Sequence, residues 1–264
     1  MTREVSSPNG AGFFEIRFES IGGLGAHVAG KIIAAAAVLR MNMNGSHFSS
    51  YGSEKKGSVV RSFIRLAPAD KAIRTSAPIE EPDVVVVFHS GLLAHPASVS
   101  GMKADGILIY AGHEDDIPDG LARLPKTTKI IRVDAQRIAF EEHSRENAVL
   151  IGTLTEAVSL LDRQAILDAL AATFADKSKK VVKANERAFN RGAEEIEVID
   201  GVGQLDGDVP TMQSNPVWGY KSAPLGGVLP TPGNTAHNDL HTSRTGWLPV
   251  LHQDECIDCG MCDM

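Results

Sequence analysis

Residues 13–20 read Phe-Phe-Glu-Ile-Arg-Phe-Glu-Ser. Their apolar and polar side chains alternate, and this period of two predicts a strand. A glycine-rich turn follows, Gly22-Gly23-Leu24-Gly25. From Ala26 to about Met41 the apolar positions take the helical period, and alanine dominates. Residues 44–57 are polar and rich in Gly, Ser and Asn, so they read as a loop. Val59 to Leu66 alternate again as a strand. Asp83 to Phe88 contains four consecutive valines, the mark of a strand buried on both faces of a parallel sheet. Gly106 to Tyr110 and Lys129 to Val133 are two more short apolar strands. Helical patterns fill 134–145, 147–162 and 163–175, and a polar helix is expected over 177–195.

Strands alternating with helices predict an α/β fold, a Rossmann-like three-layer domain over residues 13–195. The hairpin-like placement of 59–66 makes the sheet mixed rather than purely parallel. Beyond residue 195 the character changes. Fourteen of the 50 residues from Asp200 to Pro249 are Gly or Pro, which leaves little room for regular structure. Residues 196–250 are either a loose linker or an extended arm lying on a partner. Trp218, Tyr220 and Trp247 favour the arm, because aromatic side chains in a polar stretch need a surface to bury against.

At 264 residues the chain has material for a medium-sized core plus extra segments. Its net charge of −7 argues against a nucleic-acid partner, which would select clustered Lys and Arg. The longest apolar run, Ile32 to Leu39, is far short of the ~20 residues of a membrane span. The polar stretch Met1 to Gly12 has no secretory character, so a cytoplasmic location is expected.

Composition becomes informative at the cysteines. There are three, all within the last nine residues: Cys256-Ile257-Asp258-Cys259-Gly260-Met261-Cys262. A disulfide framework would distribute an even number along the chain. Two-residue spacings let three thiolates converge on one cubane, as in the first part of the bacterial ferredoxin pattern. Residues 251–264 therefore read as the start of a ferredoxin-like unit carrying a [4Fe-4S] cluster. The next cysteine of that pattern would fall beyond Met264, so the unit reads as cut short or completed by a partner. Zinc remains the competing metal, although zinc sites more often pair two separate C-x2-C units.

The strand–turn–helix at 16–39 is the second motif. Its glycines permit positive φ, and a helix N-terminus offers free N–H groups to an anion. A dinucleotide fingerprint needs G-x-G-x-x-G and a later acid. Here Val28 stands at the third glycine, and Asn42 and Asn44 stand near the acid position. The simpler reading is a tight turn that packs helix on sheet. The third motif, Tyr51-Gly52-Ser53-Glu54-Lys55-Lys56-Gly57, is by pattern alone a charged, solvated loop. His27, His47, His89, His95 and His113 show no ligand spacing and read as ordinary residues.

Taken in order, these pieces resemble the gamma subunit of the 2-oxoacid:ferredoxin oxidoreductases, the pyruvate synthase family. The resemblance rests on Gly22-Gly23-Leu24-Gly25, then Tyr51-Gly52 through Glu54 to Gly57, then Arg61, then Glu81-Pro82-Asp83 before the valines of 84–87. It covers roughly 13–195. Ser243-Arg244-Thr245-Gly246-Trp247, Pro249 and the cysteines look like the approach to a delta unit, so the chain resembles a gamma–delta fusion cut within its first cluster motif. It departs from the family at Leu24, where Gln is common, and at Lys55-Lys56, where an arginine-bearing pair is usual. Lysine lacks the fixed fork of arginine, so the resemblance does not extend to a bidentate contact there.

The resemblance implies a subunit that is not catalytic alone, in an enzyme of anaerobic metabolism that oxidatively decarboxylates a small 2-oxoacid. Pyruvate is the commonest substrate, with 2-oxoglutarate, branched-chain acids and oxalate used by relatives. Alpha and beta subunits would hold thiamine diphosphate and Mg, coenzyme A is a candidate co-substrate, and ferredoxin would accept the electrons. Cys256, Cys259 and Cys262 would hold the iron–sulfur cluster. Gly22, Gly23, Gly25, Tyr51, Gly52, Glu54, Lys56, Gly57 and Arg61 would wall the active site or touch a partner. The alternatives are a free-standing nucleotide-binding oxidoreductase with an appended ferredoxin unit, and a zinc-binding scaffold.

Overall fold

Strand β1, Phe14–Ile21, is an inner strand, paired with an antiparallel neighbour on one side and a parallel one on the other. The computed structural model describes residues 12–51 and 58–211, all within one compact unit, Met1–Met212. Gly52, Glu54, Lys56 and Gly57 lie outside the described residues. So do Cys256, Cys259 and Cys262, together with Trp218, Tyr220 and Trp247.

After β1 come α1 (Ala26–Arg40), β2 (Met43–Tyr51), β3 (Val59–Pro68), β4 (Val84–Val87), β5 (Ile107–Ala111) and β6 (Lys129–Val133). Four helices follow, α2 (Ala135–Glu141), α3 (Glu146–Ala157), α4 (Arg163–Thr173) and α5 (Lys179–Glu194), and then β7 (Ile196–Ile199). The seven strands form one sheet in the order β2-β3-β1-β4-β5-β6-β7. Strands β1, β4, β5 and β6 are parallel, whereas β3 runs against β1, β2 against β3 and β7 against β6. The sheet is mixed, as the hairpin-like placement of β3 implies.

The core lies on both faces. On one, Ile16 and Phe18 of β1, Val84 and Val86 of β4 and Ile131 of β6 meet side chains from all five α-helices. On the other, Val85, Val87, Leu108, Tyr110 and Ile130 are covered by Leu92, Leu93, Leu121, Leu124 and Val209. These come from short 3-10 turns at Ser90–Ala94 and Asp119–Arg123 and from the segment after β7. The second outer layer is thus built of 3-10 turns and irregular chain rather than α-helix. Both side-chain sets of β4 are fully buried, which is why its sequence is an unbroken apolar run. Each such valine contributes roughly 1.5–3 kcal/mol of transfer free energy.

Helix starts follow local chemistry. The carboxylate of Asp162 accepts the Ala165 N–H at 2.7 Å, and that of Asp134 accepts the Arg137 N–H at 3.0 Å. Each satisfies an N–H that the first helical turn leaves open.

Two expectations need correction. Residues 44–57 were expected as a loop, yet Met43–Tyr51 is a strand registered against β3 from Met43↔Pro68 to Tyr51↔Val60. Ser, Gly and Asn are weak strand formers, but β2 is an edge strand with a complete ladder on its inner side, and pairing overrides propensity. Residues 196–210, expected as the head of the arm, belong to the body. Beyond β7, Gln204 N–H and Leu205 N–H both donate to Leu124 O at 2.9 and 3.0 Å, and Val209 N–H donates to Met102 O at 2.8 Å.

Candidate functional site

The parallel strands all end on one side of the sheet, where β2 also ends and β3 begins. The glycine turn, Tyr51 and Arg61 therefore meet there, at the edge where open α/β sheets bind ligands. Strand β1 runs into Gly22–Gly25. Gly23 has φ 110° and Gly25 has φ 87°, the left-handed region that favours glycine. Gly25 also takes a close neighbour: a Cβ there would lie 2.8 Å from Asn147 Nδ2. Gly22 N–H donates to Ser58 O at 3.0 Å, tying the turn to the start of the β3 segment. Two motifs separated by some thirty residues are thereby brought together, as far as the described residues extend.

Beside this junction sits a histidine pair. The rings of His27, in the first turn of α1, and His47, in β2, have centroids 4.9 Å apart. Ser49 lies between them, 3.1 Å from His27 Nδ1 and 3.3 Å from His47 Nε2, and its hydroxyl is 2.7 Å from that of Ser62. Tyr51 lies alongside, its ring centroid 6.4 Å from that of His27. His47, Ser49 and Tyr51 are every second residue of β2, so one pleat turns all three toward α1. Gly30 makes the approach possible, because a Cβ there would stand 2.4 Å from the His47 ring. Burial, and then the neighbouring His27, hold the His47 imidazole down to about 4.

The opposite face of β1 carries charge. Glu15, Arg17 and Glu19 alternate along it and are all buried. Glu19 has no exposed surface, and its carboxylate takes Arg17 Nε at 2.9 Å and Arg61 Nε at 3.0 Å. Burial raises the pKa of the Glu19 carboxyl, with the two guanidinium groups opposing part of the shift. Arg17 is held further by the carbonyls of Ile79, Ser98 and Ser100. Arg65 closes on Glu15 at 2.6 Å. Arg61 differs from Arg17 and Arg65 in reaching the surface, with 39% of its side chain exposed. It lines a groove of about 430 Å³ together with Ser50, Tyr51, Val59, Leu92, His95, Ala97 and Ser98.

A smaller crevice of about 200 Å³ lies at the ends of β4, β5 and β6. His89, His113, Asp116, Asp134, Gln136 and Glu146 line it. His113 Nδ1 is 3.2 Å from Asp134 Oδ2. Burial raises the pKa of Glu146, with His89 opposing. Among the described residues, no three or more His, Cys, Asp and Glu side chains gather to hold a metal.

Of the motif residues within reach, Gly22, Gly23, Gly25, Tyr51 and Arg61 share one end of the sheet. Sequence reasoning assigned no role to His27, His47 or Ser49. The signal was the i, i+2 spacing of His47, Ser49 and Tyr51, which becomes visible once 43–51 is taken as a strand. The crevice at His89 and His113 was also missed, although each stands two residues beyond the end of a parallel strand.

Comparison with known proteins gives a consistent result. The family model described as pyruvate ferredoxin/flavodoxin oxidoreductase matches residues 15–195. The chain is 36% identical over 190 residues to pyruvate synthase subunit PorC of Thermotoga maritima, covering 70% of this chain and 95% of that protein. It is 35% identical over 181 residues to the common gamma subunit of the pyruvate/ketoisovalerate oxidoreductases of Thermococcus kodakarensis, covering 67% and 96%. The crystal structure of the Thermotoga maritima pyruvate oxidoreductase subunit superposes with a TM-score of 0.61 at 32% identity, covering 70% of this chain and 98% of that one.

Proposed function

The chain belongs to the pyruvate ferredoxin/flavodoxin oxidoreductase family, and from that premise we propose how its residues serve the assembly. It is a subunit of a 2-oxoacid:ferredoxin oxidoreductase. In our reading it works in the cytoplasm with alpha and beta subunits that hold thiamine diphosphate and Mg. The substrate is a small 2-oxoacid, for which pyruvate is the first candidate, because relatives are named for pyruvate and for ketoisovalerate. Coenzyme A is the candidate acyl acceptor and ferredoxin the electron acceptor. Thiamine diphosphate supplies the electron sink that decarboxylation needs, and this chain contributes surface rather than that chemistry.

The α/β body supplies the contact. Gly22, Gly23, Gly25, Tyr51 and Arg61, with Gly52, Glu54, Lys56 and Gly57 of the adjoining loop, would face a partner and wall part of its active site. The hydrogen bond from Gly22 N–H to Ser58 O supports this most, because it joins the two family motifs at one end of the sheet. The Gly/Pro-rich segment would run over a partner. Cys256, Cys259 and Cys262 would ligate an iron–sulfur cluster that passes electrons singly. Three thiolates two residues apart form a donor set suited to iron, although their placement lies outside the described residues.

The test is to assay 2-oxoacid-dependent reduction of ferredoxin by the purified chain, alone and with its alpha and beta subunits. The chain alone should be inactive and the mixture active. Turnover by the chain alone would refute the subunit reading.

A further inference from the structure

We propose that the groove at Arg61 is a docking site for an acidic side chain of a partner subunit, seated beside an apolar one. This rests on the reading of the chain as a subunit and names the chemistry of one contact.

Charge supplies the first argument. Glu19 is a single buried carboxylate between two guanidinium groups. When all three are ionised the trio carries one surplus positive charge. Arg17 is sealed beneath carbonyl oxygens, so it is Arg61 that presents the surplus to the surface. Its Nε is committed to Glu19, while 39% of the side chain stays exposed. Among the described residues, Glu19 is the ion-pair partner of Arg61, and the groove lining includes no Asp or Glu. A lining without acids among the described residues, on a chain of net charge −7, is a local reversal of sign. It favours a carboxylate, which can take the two outer nitrogens of a guanidinium side by side.

The apolar residues supply the second argument. Val59, two residues before Arg61 on the same face of β3, is 44% exposed and lines the same groove with Leu92 and Ala97. An exposed apolar side chain beside an exposed Arg is a composition suited to an interface. A small anion would use Arg61 and leave Val59 wet, whereas a polypeptide with adjacent acidic and apolar side chains uses both. Glu19 is then a positioning residue, acting through Arg61.

The test measures association of the full-length chain with its purified alpha and beta subunits by analytical ultracentrifugation, at NaCl concentrations from 50 to 400 mM. Arg61→Gln should weaken association about tenfold at low salt and flatten its dependence on salt. Ser50→Asp places an acid across the ladder from Arg61 while leaving Glu19 and Arg17 unaltered, so it should act in the same direction. Arg61→Lys should recover part of the loss, and Val59→Ala should weaken association with the salt slope unchanged. Unchanged affinity in both Arg61→Gln and Ser50→Asp, with wild-type melting, would overturn the inference while leaving the subunit reading intact. So would weakening with an unchanged salt slope in both, since the contact would not be ionic. Absence of association by the wild-type chain at every salt would remove the subunit reading and this inference together.

Discussion

The rings of His27 and His47 lie 4.9 Å apart with the Ser49 hydroxyl bridging them, in a space that exists because residue 30 is glycine. The pair makes stability depend on pH in a definite direction. An unfolded imidazole titrates near 6.5, and folded His47 near 4, so the unfolded state holds more protons between those values. Its contribution is complete above about pH 6.5, falls as pH drops toward 4 and levels below. Because the ring still meets solvent, the loss should be about 1–2 kcal/mol rather than the full shift. Thermal melts of wild type and His47→Gln from pH 4 to pH 8 should converge at the acid end. Curves that stay parallel across this range would contradict the burial argument.

Glu19 pairs with two arginines from a site with no exposed surface. Removing one member of a buried ion pair leaves an uncompensated charge and typically costs about 3–5 kcal/mol. Glu19→Ala should therefore lower the urea midpoint more than Asp168→Ala, whose partner Arg40 sits at the surface and which should cost about 0–1 kcal/mol. Equal effects of the two variants would show that the trio is not held as described.

Helices α3 and α5 pack backbone against backbone through two glycines. A Cβ on Gly152 would lie 2.0 Å from Phe189 O, and one on Gly192 would lie 2.2 Å from Val149 O. Carbonyl oxygens of neighbouring helices cannot swing aside as side chains do, so the helices must separate. Gly152→Ala should destabilise the body by about 1–3 kcal/mol or more, measured by urea unfolding. An unchanged midpoint would contradict the close crossing.

Residues 196–210 cover part of the sheet. Ending the chain after residue 195 would uncover Ile130 and remove the β7 ladder, including the pair that buried Arg132 makes with Glu197. A chain ending at 195 should melt lower and aggregate more readily than one ending at 212. Equal melting temperatures would mean that this segment adds nothing to the body.

The parts of the fold legible in the sequence are those that depend on near neighbours. The four valines of β4, the alanine-rich run of α1 and the turn at Gly22–Gly25 each announce themselves locally. Strand β2 does not, because Gly45, Ser46, Ser49 and Ser50 are weak strand formers held by a ladder to β3. The alternation of β1 was legible, but not the fate of its polar face. Glu15 and Glu19 are buried because Arg65 and Arg61, 50 and 42 residues further along, stand opposite them. The histidine pair was hidden for the same reason: His27 and His47 meet only once β2 lies against α1. The motif residues Gly22, Gly23, Gly25, Tyr51 and Arg61 could be singled out beforehand because their order along the chain resembles a family. Their convergence at one end of the sheet could not be read from spacing.

The most direct measurement uses a tagged full-length chain expressed without air together with its alpha and beta subunits. The tag should draw down both subunits in fixed proportion, with a brown product containing iron and reducing ferredoxin when a 2-oxoacid is added. A chain that comes down alone, colourless and without iron, leaving 2-oxoacid oxidation entirely in the unbound fraction, would contradict its place in the enzyme.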